Sequence, residues 1–159
     1  MSVRPRVVFD CNVYFQALIS AEGPSAKCLT AASRGEVVLF SSNSTVAEFT
    51  GVANRPDLRN KFRITDIKVA HILEAMRLAA KFMEQVEIRY THPSDPSDSH
   101  YVNLALAANA QLIVSRDRDL LRLREPTNPD GMEFLRLDPA LEIMQPPDLL
   151  RLLAQRQQT

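Results

Sequence analysis

Three short runs constrain the fold of this chain more than any other feature: Val7-Val8-Phe9, Val37-Val38-Leu39-Phe40 and Leu112-Ile113-Val114. Each is continuously apolar and rich in β-branched or aromatic residues. A strand with one wet face alternates apolar with polar, so these runs predict strands buried on both faces, as in a parallel sheet. The segments between them have helical spacing. Val13, Ala17 and Leu18 follow the first run, with Asn12 placed to cap. Gly23-Pro24 precedes a second helix over 26–34, which Gly35 ends. A helix over 46–53 stops at Arg55-Pro56. The longest helix carries one apolar stripe, Val69, Ile72, Leu73, Met76, Ala80 and Met83, opposite Glu74, Arg77, Lys81 and Glu84. Val86-Glu87-Ile88 reads as a minor strand, 101–108 as a helix, and 119–123 as a short helix. After a loop over 125–131, the last strand comes from 134–137 or 141–144, and Pro146-Pro147 opens a closing helix through Leu153. Strands alternating with helices predict a three-layer α/β/α sandwich with a mainly parallel central sheet. With 159 residues, one domain over 1–159 is expected, with an irregular C-terminal extension from about 125.

Composition narrows the chemistry. There are 19 basic and 19 acidic residues, so a nucleic acid would have to be held by a local patch rather than by bulk charge. Only 4 glycines are present, and neither GxGxxG nor GxxxxGK[ST] occurs, which argues against a Gly-rich phosphate cradle. Cys11 and Cys28 are too few for a disulfide scaffold or a four-cysteine zinc site and read as small apolar fillers. His71, His92 and His100 lack HExxH spacing, and no GxSxG elbow supports a serine nucleophile. No run approaches the ~18 apolar residues that span a bilayer. The apolar stretch before Asp10 is also too short for a signal peptide, so the expected location is the cytoplasm.

The sheet turns acid positions into a site hypothesis, because ligands of open α/β sheets bind beyond the carboxyl ends of the strands. Asp10 ends the first strand. Glu48 lies in the helix after the second, Asp98 precedes the helix leading to the Leu112-Ile113-Val114 strand, and Asp117 follows that strand, with Asp119 two residues on. Like charges raise one another's pKa values, so converging carboxylates stay ionised together only around a cation. Oxygen ligands suit a hard divalent ion, Mg²⁺ or Mn²⁺, and such an ion supports phosphodiester hydrolysis.

The ordered set Val7-Val8-Phe9-Asp10-Cys11-Asn12-Val13, Ala47-Glu48-Phe49, Asp95-Pro96-Ser97-Asp98 and Ile113-Val114-Ser115-Arg116-Asp117-Arg118-Asp119-Leu120-Leu121 resembles the PIN-domain family. Within it, the chain is most similar to bacterial toxins of the VapC type. The resemblance implies a Mg²⁺- or Mn²⁺-dependent RNA endonuclease, the toxin of a toxin–antitoxin pair, with a small antitoxin protein as partner. Asp10, Glu48, Asp98 and Asp117 would be catalytic, and Asp10, Asp98 and Asp117 direct metal ligands. Many members carry the third acid where this chain has Ser99, and others one residue earlier, at Asp98. Asp95 is a substitute or outer ligand, Asn12 and Ser115 orient the carboxylates, and Asp119 extends the cluster. Arg116 and Arg118 adjoin the acids and are the candidates for RNA phosphates. A homodimer through the apolar helices between Val13 and Arg34 is a further expectation.

Each residue also has a structural reading. Thr45-Val46-Ala47-Glu48 fits a capping box, Asn12 an N-cap, and Asp98 or Ser99 a cap for the helix that follows. Asp119 fits a solvated face near Arg122, and His100 a surface position beside the site. The basic clusters Arg55, Arg59, Lys61, Arg63 and Arg116, Arg118, Arg122, Arg124 fit solvated faces paired with nearby acids. The rival functions are an RNA- or protein-binding module that keeps the fold without turnover, and a phosphatase with Asp10 as nucleophile. Asn12, where the phosphatase pattern has Asp, argues against the second.

Overall fold

The computed structural model describes residues 3–158. It contains five strands, β1 (Arg6–Phe9), β2 (Val38–Ser42), β3 (Ala80–Met83), β4 (Leu112–Val114) and β5 (Glu142–Met144). They form one sheet in the order β3-β2-β1-β4-β5, with every pairing parallel. Val7, Val8, Phe9, Ile113 and Val114 are wholly shielded from solvent, as continuous apolar strands require. Helices flank the sheet, in agreement with the α/β/α expectation.

Connectivity locates the site before any side chain is considered. From β1 the chain moves outward through α1 (Cys11–Ile19) and α2 (Pro24–Ser33) to β2. It continues through α3 (Asn43–Ala53), α4 (Pro56–Phe62) and α5 (Asp66–Ala79) to β3. It then returns past β2 and β1, through a 3₁₀ turn (Pro96–Asp98) and α6 (Ser99–Ala107), to β4. Beyond β4 lie α7 (Arg118–Leu121), a second 3₁₀ turn (Arg122–Arg124), α8 (Gly131–Leu137), β5 and α9 (Pro146–Gln157). Parallel crossovers are right-handed, so reversing the direction of travel puts α6 on the opposite face from the earlier helices. Accordingly α6 packs on β1, β2 and β4, while α1 packs with α2, α3 and α5, and α2 with α9. The reversal falls between β1 and β4, whose carboxyl ends open a crevice at the switch point.

Several expectations are corrected. The long helix does not run through Met83. It ends at Ala79, Ala80 turns extended (φ −100°, ψ 146°), and Ala80–Met83 pairs with Leu39–Ser42 of β2. The spacing of Ala80 and Met83 fits a helical stripe, but the unpaired edge of β2 supplies hydrogen bonds that the helix would have left open. Val86-Glu87-Ile88 is not a strand. Pro56 does not merely break a helix but starts α4 at its first turn, where its missing N–H costs nothing. Residues 134–137 belong to α8, so β5 is the last strand. Beyond 125 a short turn region leads into α8, a helix that was not expected, and then into the expected last strand, β5, and closing helix, α9. Val13, Tyr14, Phe15, Leu18, Cys28 and Leu29 are buried in the chain's own core, so these side chains do not form a dimer surface. No helix among the described residues is long and apolar enough to cross a membrane.

Candidate active site

Asp10 stands at the switch point. Its N–H donates to Val114 O (3.0 Å), which locks the end of β1 to the end of β4. Only 3% exposed, its carboxylate caps α1. Oδ1 accepts from Asn12 N (3.3 Å), and Oδ2 accepts from Ser115 Oγ (2.6 Å) and Asn12 Nδ2 (3.2 Å). Burial pushes the Asp10 carboxyl above its ordinary value. The Ser115 and Asn12 bonds oppose that shift, and the charges of Glu48 and Asp117 add to it. The same partners organise the loop after β4. Ser115 Oγ accepts from Asp117 N (2.9 Å), and Asn12 Oδ1 accepts from Arg116 N (3.3 Å). Asp117 caps α7 through Asp119 N (2.8 Å).

Glu48 approaches from α3. Its Oε2 accepts from Tyr101 Oη (2.5 Å) and lies 2.7 Å from His100 Nε2, while Tyr101 Oη accepts from Cys11 N (2.9 Å). Tyr101 therefore ties Glu48 to the residue after Asp10. Burial alone raises the Glu48 carboxyl, but the bonds from His100 and Tyr101 outweigh it and the net shift is downward, so Glu48 is ionised. Burial, followed by the Asp10 charge, drives the Tyr101 hydroxyl and the Cys11 thiol up. Tyr101 thus stays a donor, and Cys11 stays an unreactive thiol.

The third group comes from the loop before α6. Asp95 Oδ1 accepts from Ser97 N (3.1 Å) and from Ser97 Oγ. Asp98 occupies the N-cap position of α6 without making a capping bond, and its Oδ2 is buried with no hydrogen-bond partner. Burial, then the charges of Asp117, Asp95, Asp10 and Glu48, lift the Asp98 carboxyl to about 8. Carboxylate oxygens of Asp95, Asp98 and Asp119 lie within 4.8 Å of one another. Oxygens on opposite sides of a Mg²⁺ ion are about 4.2 Å apart, from two bonds of about 2.1 Å. Small side-chain rotations therefore suffice to close this group on an ion. An orphaned, buried carboxylate oxygen in an all-oxygen donor set fits a hard divalent cation.

Sequence reading missed His92, the peg of this group. The ring is 1% exposed. Nδ1 accepts from Ser94 N (3.2 Å) and Asp95 N (3.1 Å), which leaves the Nε2–H to meet Asp119 O (3.2 Å). His92 N in turn donates to Ser99 Oγ (2.7 Å). One imidazole thus fixes the backbone on both sides of the acid group. Its only signal in the sequence is its place at the head of the Pro- and Asp-rich loop. Tyr101 was likewise read only as a helix residue.

The structural readings of several residues fail. The N-cap of α3 is Ser42, whose Oγ accepts from Thr45 N (3.3 Å), so no capping box forms on Thr45 and Glu48 is free for the site. Asp10, not Asn12, caps α1. Neither Asp98 nor Ser99 caps α6 with its side chain, since Ser99 Oγ is taken by His92 N. Asp95 and Asp119, assigned outer roles, group with Asp98, while among the neighbouring charges Asp117 acts on Asp98 most strongly, ahead of Asp95 and Asp10. Arg122 pairs with Glu125 (3.7 Å) rather than with Asp119. Arg55, Arg59 and Arg124 pair with Asp57 (3.2 Å), Asp66 (2.6 Å) and Glu142 (3.3 Å). Arg116 and Arg118 are exposed beside Asp117.

A doubly wound parallel sheet with carboxylates gathered near its switch point defines an α/β protein with an acid group that could hold a metal ion at that edge. A family model of the PIN domain matches residues 6–119, and the chain belongs to the PIN-domain family. PIN domains are typically metal-dependent nucleases, and the acid group is compatible with that chemistry. The chain is also similar to an uncharacterized protein of Methanocaldococcus jannaschii. The two are 27% identical over 123 residues, covering 77% of each chain.

Proposed function

We propose that this protein is a Mg²⁺- or Mn²⁺-dependent endonuclease that cuts RNA. The observation that carries the reading is Asp98 Oδ2, buried without a partner among the charges of Asp10, Glu48, Asp95 and Asp117. A fold does not keep such an oxygen unpaired for stability, because an unsatisfied buried acceptor is destabilising. Asp98, Asp10 and Asp117, joined by Asp95 and Asp119, would hold the ion. When bound, a divalent ion supplies electrophilic activation of the phosphodiester and of water.

The chain's own residues do the rest. Ser115 and Asn12 keep the Asp10 carboxylate turned toward the crevice and ionisable despite its burial. Tyr101 and His100 both engage Glu48 Oε2 and hold the carboxylate ionised, in which form it would accept a proton from the attacking water. His92 holds Asp95 and Asp119 at their spacing. Arg116 and Arg118 meet the flanking phosphates and offset the repulsion between RNA and the acids. The finer reading, a toxin with an antitoxin partner acting in the cytoplasm, rests on the likeness to VapC-type proteins. Its test is growth arrest on expression that Asp10→Asn relieves.

The test of the activity is cleavage of a mixed-structure RNA with Mg²⁺, Mn²⁺ or EDTA, beside Asp10→Asn purified identically. Metal-dependent cutting that the variant loses supports the reading. Equal cutting by both proteins refutes the assigned site. No cutting by folded protein favours the binding module.

A further inference from the structure

The group of Asp95, Asp98 and Asp119 takes no member from the chain beyond Asp119, where the match to the PIN-domain model also ends. Yet the stretch that follows is firmly built. Asn128 Nδ2 donates to Arg122 O (2.9 Å), while Asn128 Oδ1 accepts from Asp130 N (3.2 Å) and Asn128 O from Gly131 N (3.0 Å). Gly131 lies so close to Leu123 that a Cβ would come within 2.3 Å of Leu123 O. Phe134 of α8 is buried and meets the Tyr90 ring edge-on, with centres 6.2 Å apart. Tyr90 meets the His92 ring in the same way, at 6.3 Å. On the core side Asn103 of α6 fixes this chain. Its Oδ1 accepts from Arg89 N and Tyr90 N (both 2.8 Å), and its Nδ2 donates to Tyr90 O (2.9 Å).

Asp130 stands where the two stretches touch, and it is engaged twice. Its backbone O accepts from Tyr90 Oη (3.2 Å), and its Oδ2 accepts from Ser94 Oγ. Ser94 is exposed, and its N–H donates to His92 Nδ1 (3.2 Å) beside the N–H of Asp95 (3.1 Å). His92 thus anchors this loop from inside, and the Asp130 carboxylate anchors it from outside. The loop runs straight into the acids, since Asp95 follows Ser94 and Asp98 N donates to Asp95 O (3.1 Å). Groups behind a ligand set its orientation before the ion arrives, and affinity depends on them. We propose that Asp130 is a positioning residue of the acid group, holding the 94–98 loop through Ser94 so that Asp95 and Asp98 are spaced for a divalent cation. The stretch over 122–137 is then the brace of that loop. The proposal rests on the reading of these acids as metal holders. A carboxylate also attracts a cation through its charge alone, and Asn at position 130 separates the two effects. Its amide keeps an acceptor for Ser94 Oγ without the charge.

Calorimetric titration of the full chain with Mn²⁺ reads the role without turnover. Asp130→Ala leaves the Tyr90 bond in place, because that bond is to main chain. It should bind Mn²⁺ about three- to tenfold more weakly, the worth of one hydrogen bond. Asp130→Asn should stay within about twofold of the wild type, having kept the acceptor. Ser94→Ala should match Asp130→Ala, and the double variant should bind no more weakly than either, since all three lack the same bond. Amide exchange at Asp95 and Asp98 in metal-free Asp130→Ala should quicken. Wild-type affinity in Asp130→Ala, equal losses in the Ala and Asn variants, or additive losses in the double variant overturn the proposal while the metal reading stands. A folded wild type that binds no Mn²⁺ refutes the metal reading, and the role of Asp130 falls with it.

Discussion

Replacing Asp98 by Asn should make the metal-free protein more stable. The Asp98 carboxyl is 4% exposed, and burial together with Asp117, Asp95, Asp10 and Glu48 raises it to about 8. For an acid raised on folding, the native state holds a proton that the unfolded chain releases from about pH 4. Stability is therefore full below that pH and is lost as pH climbs to about 8. At about 1.4 kcal/mol per pH unit over roughly three units, the penalty near pH 7 is at most about 4 kcal/mol. The neighbouring acids share the titration, which brings the expected gain from Asn to roughly 2–4 kcal/mol, or some 4–16 °C in Tm for a chain of this size. Thermal melts in EDTA across pH 5 to 8 should show a falling wild-type Tm and a flatter Asp98→Asn curve lying above it. Saturating Mg²⁺ should reverse the order, because an ion that binds only the native wild type stabilises it by mass action. An Asp98→Asn protein that is less stable in EDTA near pH 7, or that keeps the wild-type slope, refutes the reasoning.

Four further outcomes follow from the same geometry. Ser115→Ala removes the bond to Asp10 Oδ2 and the acceptor of Asp117 N, and should weaken metal binding about 10–100-fold by calorimetry. His92→Ala frees Ser94 N, Asp95 N and Asp119 O, so metal affinity should fall by a similar factor and amide exchange over 94–98 should quicken. Tyr101→Phe keeps the ring but strips a donor from Glu48 and orphans Cys11 N. It should cost about 1–3 kcal/mol in urea melts and move the acid limb of the pH–rate profile upward, since this bond helps hold Glu48 low. Gly131→Ala would put a Cβ 2.3 Å from Leu123 O, a backbone atom that cannot give way. A loss of about 1–3 kcal/mol is expected, with loosening of the Tyr90 Oη–Asp130 O contact (3.2 Å) visible by NMR.

What could be read from the residues alone follows from periodicity. Doubly buried strands announce themselves, and with them the crevice at the end of Val7-Val8-Phe9 and the place of Asp10. Helix ends were legible where a proline or glycine marked them and misread where none did, as at Ala80, whose fate β2 decides from 38 to 42 positions away. The acids were visible as a set in order, but their division into groups was not. That division depends on where single side-chain oxygens point. Ser42 takes the capping role that Thr45 was expected to fill, and Ser99 is spent on His92 N. The buried His92 carries the same point further. A histidine in a polar loop looks solvated until the fold closes Asp119 over it.

The central claim is that these carboxylates hold a divalent ion at the switch point. Anomalous diffraction from crystals grown with Mn²⁺, at the concentration that supports RNA cleavage, tests it most directly. The account predicts a peak in ligating contact with Asp98 and bordered by Asp10, Asp95, Asp117 or Asp119, absent from Asp98→Asn. A peak remote from Asp98, or active protein whose acid group remains free of Mn²⁺, contradicts it.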